Sequence, residues 1–132
     1  MITKLDINTT TKVELREVTG MVRQAVRESG VHDGVCHVYV PHTTAGVTIN
    51  EHADPDVARD LIAGLARIVP DGAGYRHAEG NSPAHIKAAL LGTSATVLVE
   101  SGDLVLGTWQ GIFFCEFDGP RSRQLYVKVA GE

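Results

Sequence analysis

Six histidines stand in this chain of 132 residues, and three of them sit where the chain turns. His42 follows the apolar stretch GVCHVYV and a proline. His77 lies in a loop bracketed by glycines. His85 falls in the first turn of a helix that Ser82 and Pro83 announce. His77 and His85 are eight apart across an Asn-Ser-Pro turn, so the chain can bring both rings to one point. Three imidazoles with a fourth position left to water form a catalytic zinc site. Their spacing is none of the specific zinc signatures, and on the bare sequence capping and loop hydrogen bonding are the commoner fate of such histidines. His32 and His52 read as exposed turn residues and His37 as a strand-face residue, without a part in chemistry.

A second chemistry is anion binding. The helix opening at Ser82 should present free backbone N–H groups over Ser82–His85, with Asn81 and Ser82 adding side-chain donors. Ser82 caps that helix with or without an anion. Arg121, in the turn DGPR, is the guanidinium best placed to clamp a phosphate in two-point fashion. Arg123, at a strand start, reads as a solvated edge charge. Glu51, close in sequence to the His42 loop, could act as a general base if partly desolvated, although a surface carboxylate is the commoner fate of glutamate. Trp109 stands in Gly-Thr-Trp-Gln-Gly. A lone tryptophan is usually core, yet flanking glycines could expose a ring face to a planar ligand. No Ser/His/Asp triad, P-loop or GxGxxG pattern occurs.

These residues fall in loops, so the elements between them must hold them. The pattern predicts a strand pair over 2–8 and 12–16, turning through Asn8–Thr11, and a helix capped by Thr19 and closed by Gly30. Strands follow at 34–40 and 45–50. The next helix starts with Asp54 as cap and Pro55 at the first position, carries an apolar stripe from Val57 to Ala66, and stops at Pro70. The third runs from Ser82 to near Gly92. Strands at 96–100 and 103–106 flank the hairpin signal Ser101-Gly102, and strands at 111–117 and 124–129 complete the set. The fold expected is a single α+β domain over 1–132, a largely antiparallel sheet packed with about three helices.

Composition bounds the function. Hydrophobic residues make up 43% and charged residues 21%, a globular balance. Twelve basic against sixteen acidic residues give a net charge of −4, which argues against a nucleic-acid surface. No apolar run is long enough to span a bilayer, and no signal segment is visible, so a soluble cytoplasmic protein is expected. Cys36 and Cys115 are expected to be buried free thiols.

Three stretches carry a resemblance: HTTAGVTINEHADPDV at 42–57, YRHAEGNSPAHIKAALLG at 75–92 and GDLVLGTWQGIFFCEFDGPR at 102–121. In this order they resemble the YjbQ-like proteins, also called secondary thiamine-phosphate synthase enzymes, over nearly the whole chain. The resemblance implies a compact α+β fold and a homotrimer with sites near subunit interfaces. It also puts His42, His77 and His85 in metal-ligand positions for a divalent ion, zinc being favoured. Asn81, Thr108, Gln110 and Arg121 fall in its cleft lining. The candidate set is thus Glu51 and Asn81 as catalytic groups, with Thr43, Thr44, Ser82, Thr108, Trp109, Gln110 and Arg121 binding substrate or phosphate. The implied activity joins a pyrimidine pyrophosphate to a thiazole phosphate, in keeping with a side reaction of a metal-assisted enzyme on small phosphorylated metabolites. A metal-dependent hydrolase and a non-catalytic trimer that binds a metal or metabolite are the alternatives.

Overall fold

The computed structural model describes residues 1–132. Eight strands and three helices follow one another as β1 (Thr3–Asn8), β2 (Glu14–Glu17), α1 (Thr19–Ser29), β3 (Gly34–Tyr39), β4 (Ala45–Glu51), α2 (Pro55–Ile68), α3 (Ser82–Leu91), β5 (Ser94–Glu100), β6 (Asp103–Leu104), β7 (Gln110–Glu116) and β8 (Ser122–Gly131). They form two antiparallel sheets, one in the order β1-β8-β3-β5-β6 and the other β2-β7-β4. This is the α+β architecture expected.

Alternation explains the larger sheet. Ile7, Cys36, Val38, Val97, Val99, Leu125 and Val127 point inward to a core shared with Val22 and Val26 of α1 and with Val47, Ile112 and Phe114 of the smaller sheet. The smaller sheet is covered on both faces. Its other side sends Phe113 and Cys115 against Ala84 and Ala88 of α3, which is why β7 reads as an unbroken apolar run rather than an alternating one. Gly46 permits the close contact on this side: a Cβ there would lie 2.6 Å from the Gly92 carbonyl oxygen.

Three local expectations are corrected. β1 and β2 do not pair with each other. β1 lies antiparallel to β8 (Thr3 opposite Val127) and β2 to β7 (Glu14 opposite Glu116), so Asn8–Thr11 passes between the sheets. Glu14 occupies that stretch by accepting the N–H groups of Thr10 and Thr11 at 2.6 and 3.1 Å, which replaces a hairpin turn. The α1 cap position is Val18 rather than Thr19, because the Thr19 hydroxyl donates to Glu17 and accepts from the Ile112 N–H. The α3 cap position is Asn81 rather than Ser82, and its side chain makes no capping bond. The other helix signals hold: Asp54 accepts from the Asp56 N–H with Pro55 behind it, and Gly30 closes α1 in the left-handed conformation. Ser101 and Gly102, both at positive φ, turn β5 into β6.

Candidate functional site

At the end of the smaller sheet where β4 begins and β7 ends, an open cleft of about 500 Å³ is lined by polar side chains, Pro41 apart. His42, Thr43 and Thr44 enter from the loop ahead of β4. His77, Glu79, Asn81 and His85 come from the loop before α3 and its first turn. Asp118, Arg121 and Arg123 come from the turn joining β7 to β8. Three segments distant in sequence thus meet, and the three candidate histidines share one cleft.

Beneath it lies a buried ion pair. Glu116 is fully buried and Arg123 is 5% exposed. Arg123 Nε donates to Glu116 Oε1 at 2.9 Å and Nη2 donates to Oε2, while Nη2 also reaches Thr44 Oγ1 at 2.8 Å. The Thr9 hydroxyl donates to Glu116 Oε1 at 2.7 Å, and the Asp118 N–H donates to Oε2 at 3.0 Å. Burial works against ionisation of Glu116, but these donors, Arg123 foremost, outweigh it and hold the carboxyl below its ordinary range. Arg123 is therefore not the solvated edge charge expected of it. Its guanidinium is consumed by structure and acts on the cleft as a fixed positive charge.

Arg121 is different. Its side chain is 53% exposed; Nε donates to the Asp118 carbonyl at 2.7 Å and Nη2 to the Asp118 carboxylate at 3.0 Å, which leaves Nη1 free to a ligand. Asp118 also accepts from Asn81 Nδ2 at 3.0 Å. Burial pushes its carboxyl up, but Asn81 and Arg121 override that and keep it below the ordinary range. The turn itself is tight: Gly119–Pro120 is cis, and a Cβ on Gly119 would lie 2.3 Å from the Thr11 carbonyl oxygen.

The histidines divide into a pair and a singleton. The His77 and His85 rings pack edge to face with centroids 5.4 Å apart. His42 Nε2 accepts the Gln124 N–H at 2.9 Å, so in the neutral ring the proton sits on Nδ1 and no lone pair remains for an ion. Burial, then the Arg123 charge, lowers the His42 pKa below its ordinary value, and the neutral form follows. No three His, Cys, Asp or Glu side chains are gathered closely enough to ligate one ion. Donors for one are nevertheless present. His77 and His85 offer imidazoles, and Asn81 Oδ1 is a buried acceptor that no hydrogen bond satisfies. Imidazole with oxygen suits zinc and its neighbours.

The α3 terminus offers less to an anion than its sequence implies. Pro83 has no N–H, and the Ala84 and His85 amides both donate to the Asn81 carbonyl at 3.0 and 3.3 Å. The Ser82 amide alone is left in that turn. Thr44 is likewise committed, its hydroxyl to Arg123 and its carbonyl to the Phe117 N–H.

Glu51, Thr108, Trp109 and Gln110 are not in this cleft. Glu51 pairs with Gln110 at one end of β4–β7, and Ala45 pairs with Glu116 at the other, which separates the groups by roughly 20 Å at the strand rise. Trp109 is 62% exposed, so its ring is no part of the core. Close by, His52 Nδ1 lies 2.7 Å from Glu17 Oε2, with Thr19 bonded to the same oxygen. The chain therefore carries two polar clusters at opposite ends of one strand pair.

The family model described as UPF0047 protein YjbQ-like matches residues 3–132. The UPF0047 protein of Methanocaldococcus jannaschii is 51% identical over 132 residues, covering 100% of this chain and 96% of that one. YugU of Bacillus subtilis, also a UPF0047 protein, is 48% identical over 99% of this chain and 100% of its own. A crystal structure of a YjbQ/UPF0047 protein from Clostridium acetobutylicum superposes with a TM-score of 0.95 at 51% identity, covering 97% of this chain and 99% of that one.

Proposed function

The chain belongs to the UPF0047 YjbQ-like family, and we propose that its polar cleft is the site of a metal-assisted enzyme acting on small phosphorylated metabolites. The observation that carries this reading is the charge count of the cleft. Arg121 and Arg123 are matched by Asp118 and Glu116, and Glu79 is left over. With His42 neutral, an incoming phosphate meets no net positive charge. A divalent cation on the imidazoles reverses that sign, and zinc suits such ligands best. His77 and His85 would hold it, with Asn81 Oδ1 as the oxygen donor. His42 would join only by releasing the Gln124 N–H.

The ion would supply charge neutralisation at a leaving phosphate or pyrophosphate. The chain's own groups do the rest. Arg121 turns its free Nη1 to the phosphoryl oxygens, and the Ser82 amide and the end of the helix dipole add to it. Asp118 fixes Arg121 and Asn81 in place. His42 offers an Nδ1–H donor and no basic lone pair, so it orients rather than abstracts. The finer reading is a transfer like thiamine-phosphate synthesis, in which a pyrimidine pyrophosphate loses pyrophosphate to a thiazole phosphate.

We also infer a cytoplasmic homotrimer. The two polar clusters support it, since a neighbouring copy could bring exposed Trp109, with Thr108, Gln110 and Glu51, to a cleft they cannot reach within their own chain. The test is calorimetry of pyrophosphate with and without zinc, followed by a turnover screen of phosphorylated metabolites. Binding should require the metal. His77→Ala and His85→Ala should lose both metal and pyrophosphate, while His32→Ala keeps them. Equal pyrophosphate affinity with and without the metal would sink the reading.

A further inference from the structure

A second cavity shares a wall with the polar cleft. Asn81 and Asp118 line both, and behind them a more enclosed space of about 170 Å³ opens between α2, α3 and the Lys12–Val13 segment. A cavity of roughly 150 Å³ holds a benzene molecule, so a compact fragment of a metabolite fits. Ile62, Pro83, Ala84 and Phe117 give it apolar walls.

One group on these walls is not explained by the fold. Lys87 sits on the buried face of α3 between Ala84 and Ala88 and is only 7% exposed. Lysines this buried are normally paired. Here Nζ makes no hydrogen bond or ion pair within the chain, and it is not sealed off either, because Asn81 Oδ1 is the one occluded polar atom without a partner. The ammonium therefore opens onto accessible space, and the space that Lys87 lines is this cavity. Helical side chains lean toward the N-terminus of their helix, which carries the Lys87 stem toward Asn81. Neither carboxylate of the cavity quenches it: Asp118 is bonded to Asn81 and Arg121, and Asp71, which also lines the space, forms no ion pair with Lys87.

We propose that this cavity is a second subsite, which takes the non-phosphate half of the ligand, and that this half is a small organic acid. Its carboxylate pairs with Lys87 Nζ, the ammonium that the fold leaves without a partner. The apolar walls exclude water and strengthen the ion pair. The proposal rests on the reading of the cleft as a phosphate site, since the ligand spans the Asn81–Asp118 wall with its phosphate on one side and its carboxylate on the other.

The experiment is calorimetry of the full chain, wild type and Lys87→Met, in the presence of zinc. The probes are 3-phosphoglycerate, glycerol 3-phosphate, glycerate and inorganic phosphate. Lys87→Met should bind 3-phosphoglycerate about ten- to hundred-fold more weakly, the cost of removing a charge-assisted partner. Glycerol 3-phosphate and inorganic phosphate, which lack the carboxylate, should bind both proteins alike. Methionine is apolar and of similar length, so the melting temperature should not fall. If it does, wild type alone decides: glycerate should protect Lys87, and not exposed Lys128, from acetylation read by mass spectrometry. Unchanged 3-phosphoglycerate affinity in Lys87→Met, an equal loss for inorganic phosphate, or no protection by glycerate would each overturn the subsite. Failure of the phosphate reading looks different: glycerol 3-phosphate and inorganic phosphate would not bind wild type, while glycerate still protected Lys87.

Discussion

Two arginines two residues apart do different work, and substitution should separate them. Arg121→Ala removes an exposed clamp, so pyrophosphate affinity should fall about ten- to hundred-fold with stability nearly unchanged, since its exposed pair with Asp118 contributes roughly 0–1 kcal/mol. Arg123→Met leaves Glu116 charged and buried without its partner, so chemical denaturation should show a loss of about 3–5 kcal/mol. Denaturation curves beside calorimetry on the same two proteins decide the assignment. His42 makes a pH prediction. Its folded pKa lies below the ordinary 6.5, so folding favours the neutral ring. The stability this contributes is full above 6.5 and is lost as pH falls through the folded value. Ring chemical shifts should show His42 protonating below the ordinary 6.5, and His42→Ala should flatten the stability profile below 6.5. Arg123 was legible all along. It shares the parity of inward-facing Leu125 and Val127 in β8, and Glu116 interrupts an apolar run. A buried cation and a buried anion seven residues apart on consecutive strands imply each other. His42's commitment to Gln124 was not legible, because it depends on a contact across 82 residues.

Elements fix where these residues stand, and the turn between β7 and β8 is the most constrained of them. Gly119 approaches Thr11 O, Glu116 Cγ and Thr9 Oγ1 at 2.3, 2.8 and 2.9 Å from its would-be Cβ. The first of these is backbone and cannot rotate away. Gly119→Ala should therefore push the turn off the Thr9–Glu116 network, lower the melting temperature by several degrees and weaken pyrophosphate binding together, whereas Gly64→Ala on α2, where the space is open, should do neither. Thermal melts of both variants check this. Asp54-Pro55 and Gly30 mark helix ends legibly because each acts within a turn of itself. Strand partners are not legible in the same way. Residues 2–8 and 12–16 are each strands, but nothing local says that the first joins β8 and the second β7.

At the scale of the molecule, the proposed homotrimer can be tested directly. Light scattering should give a mass about three times 14.1 kDa, and Trp109→Ala should weaken the proposed trimer and pyrophosphate binding together. A monomer at micromolar concentration would refute both. Both cysteines are free and buried, with thiols pushed up by burial to about 11 for Cys36 and about 12 for Cys115, so neither offers a thiolate to stabilise such an assembly covalently. The strand order of the larger sheet has a consequence for how the protein is made. β8 lies between β1 and β3 and hydrogen-bonds to both, yet it is synthesised last. While the ribosome is still working through α2 and α3, neither β1 nor β3 has a partner. The sheet closes only when β8 emerges and inserts between them, so the nascent chain carries unpaired strand edges for most of its translation. The same insertion brings Arg123 to Glu116, so the polar cleft is complete only once all eight strands have been made.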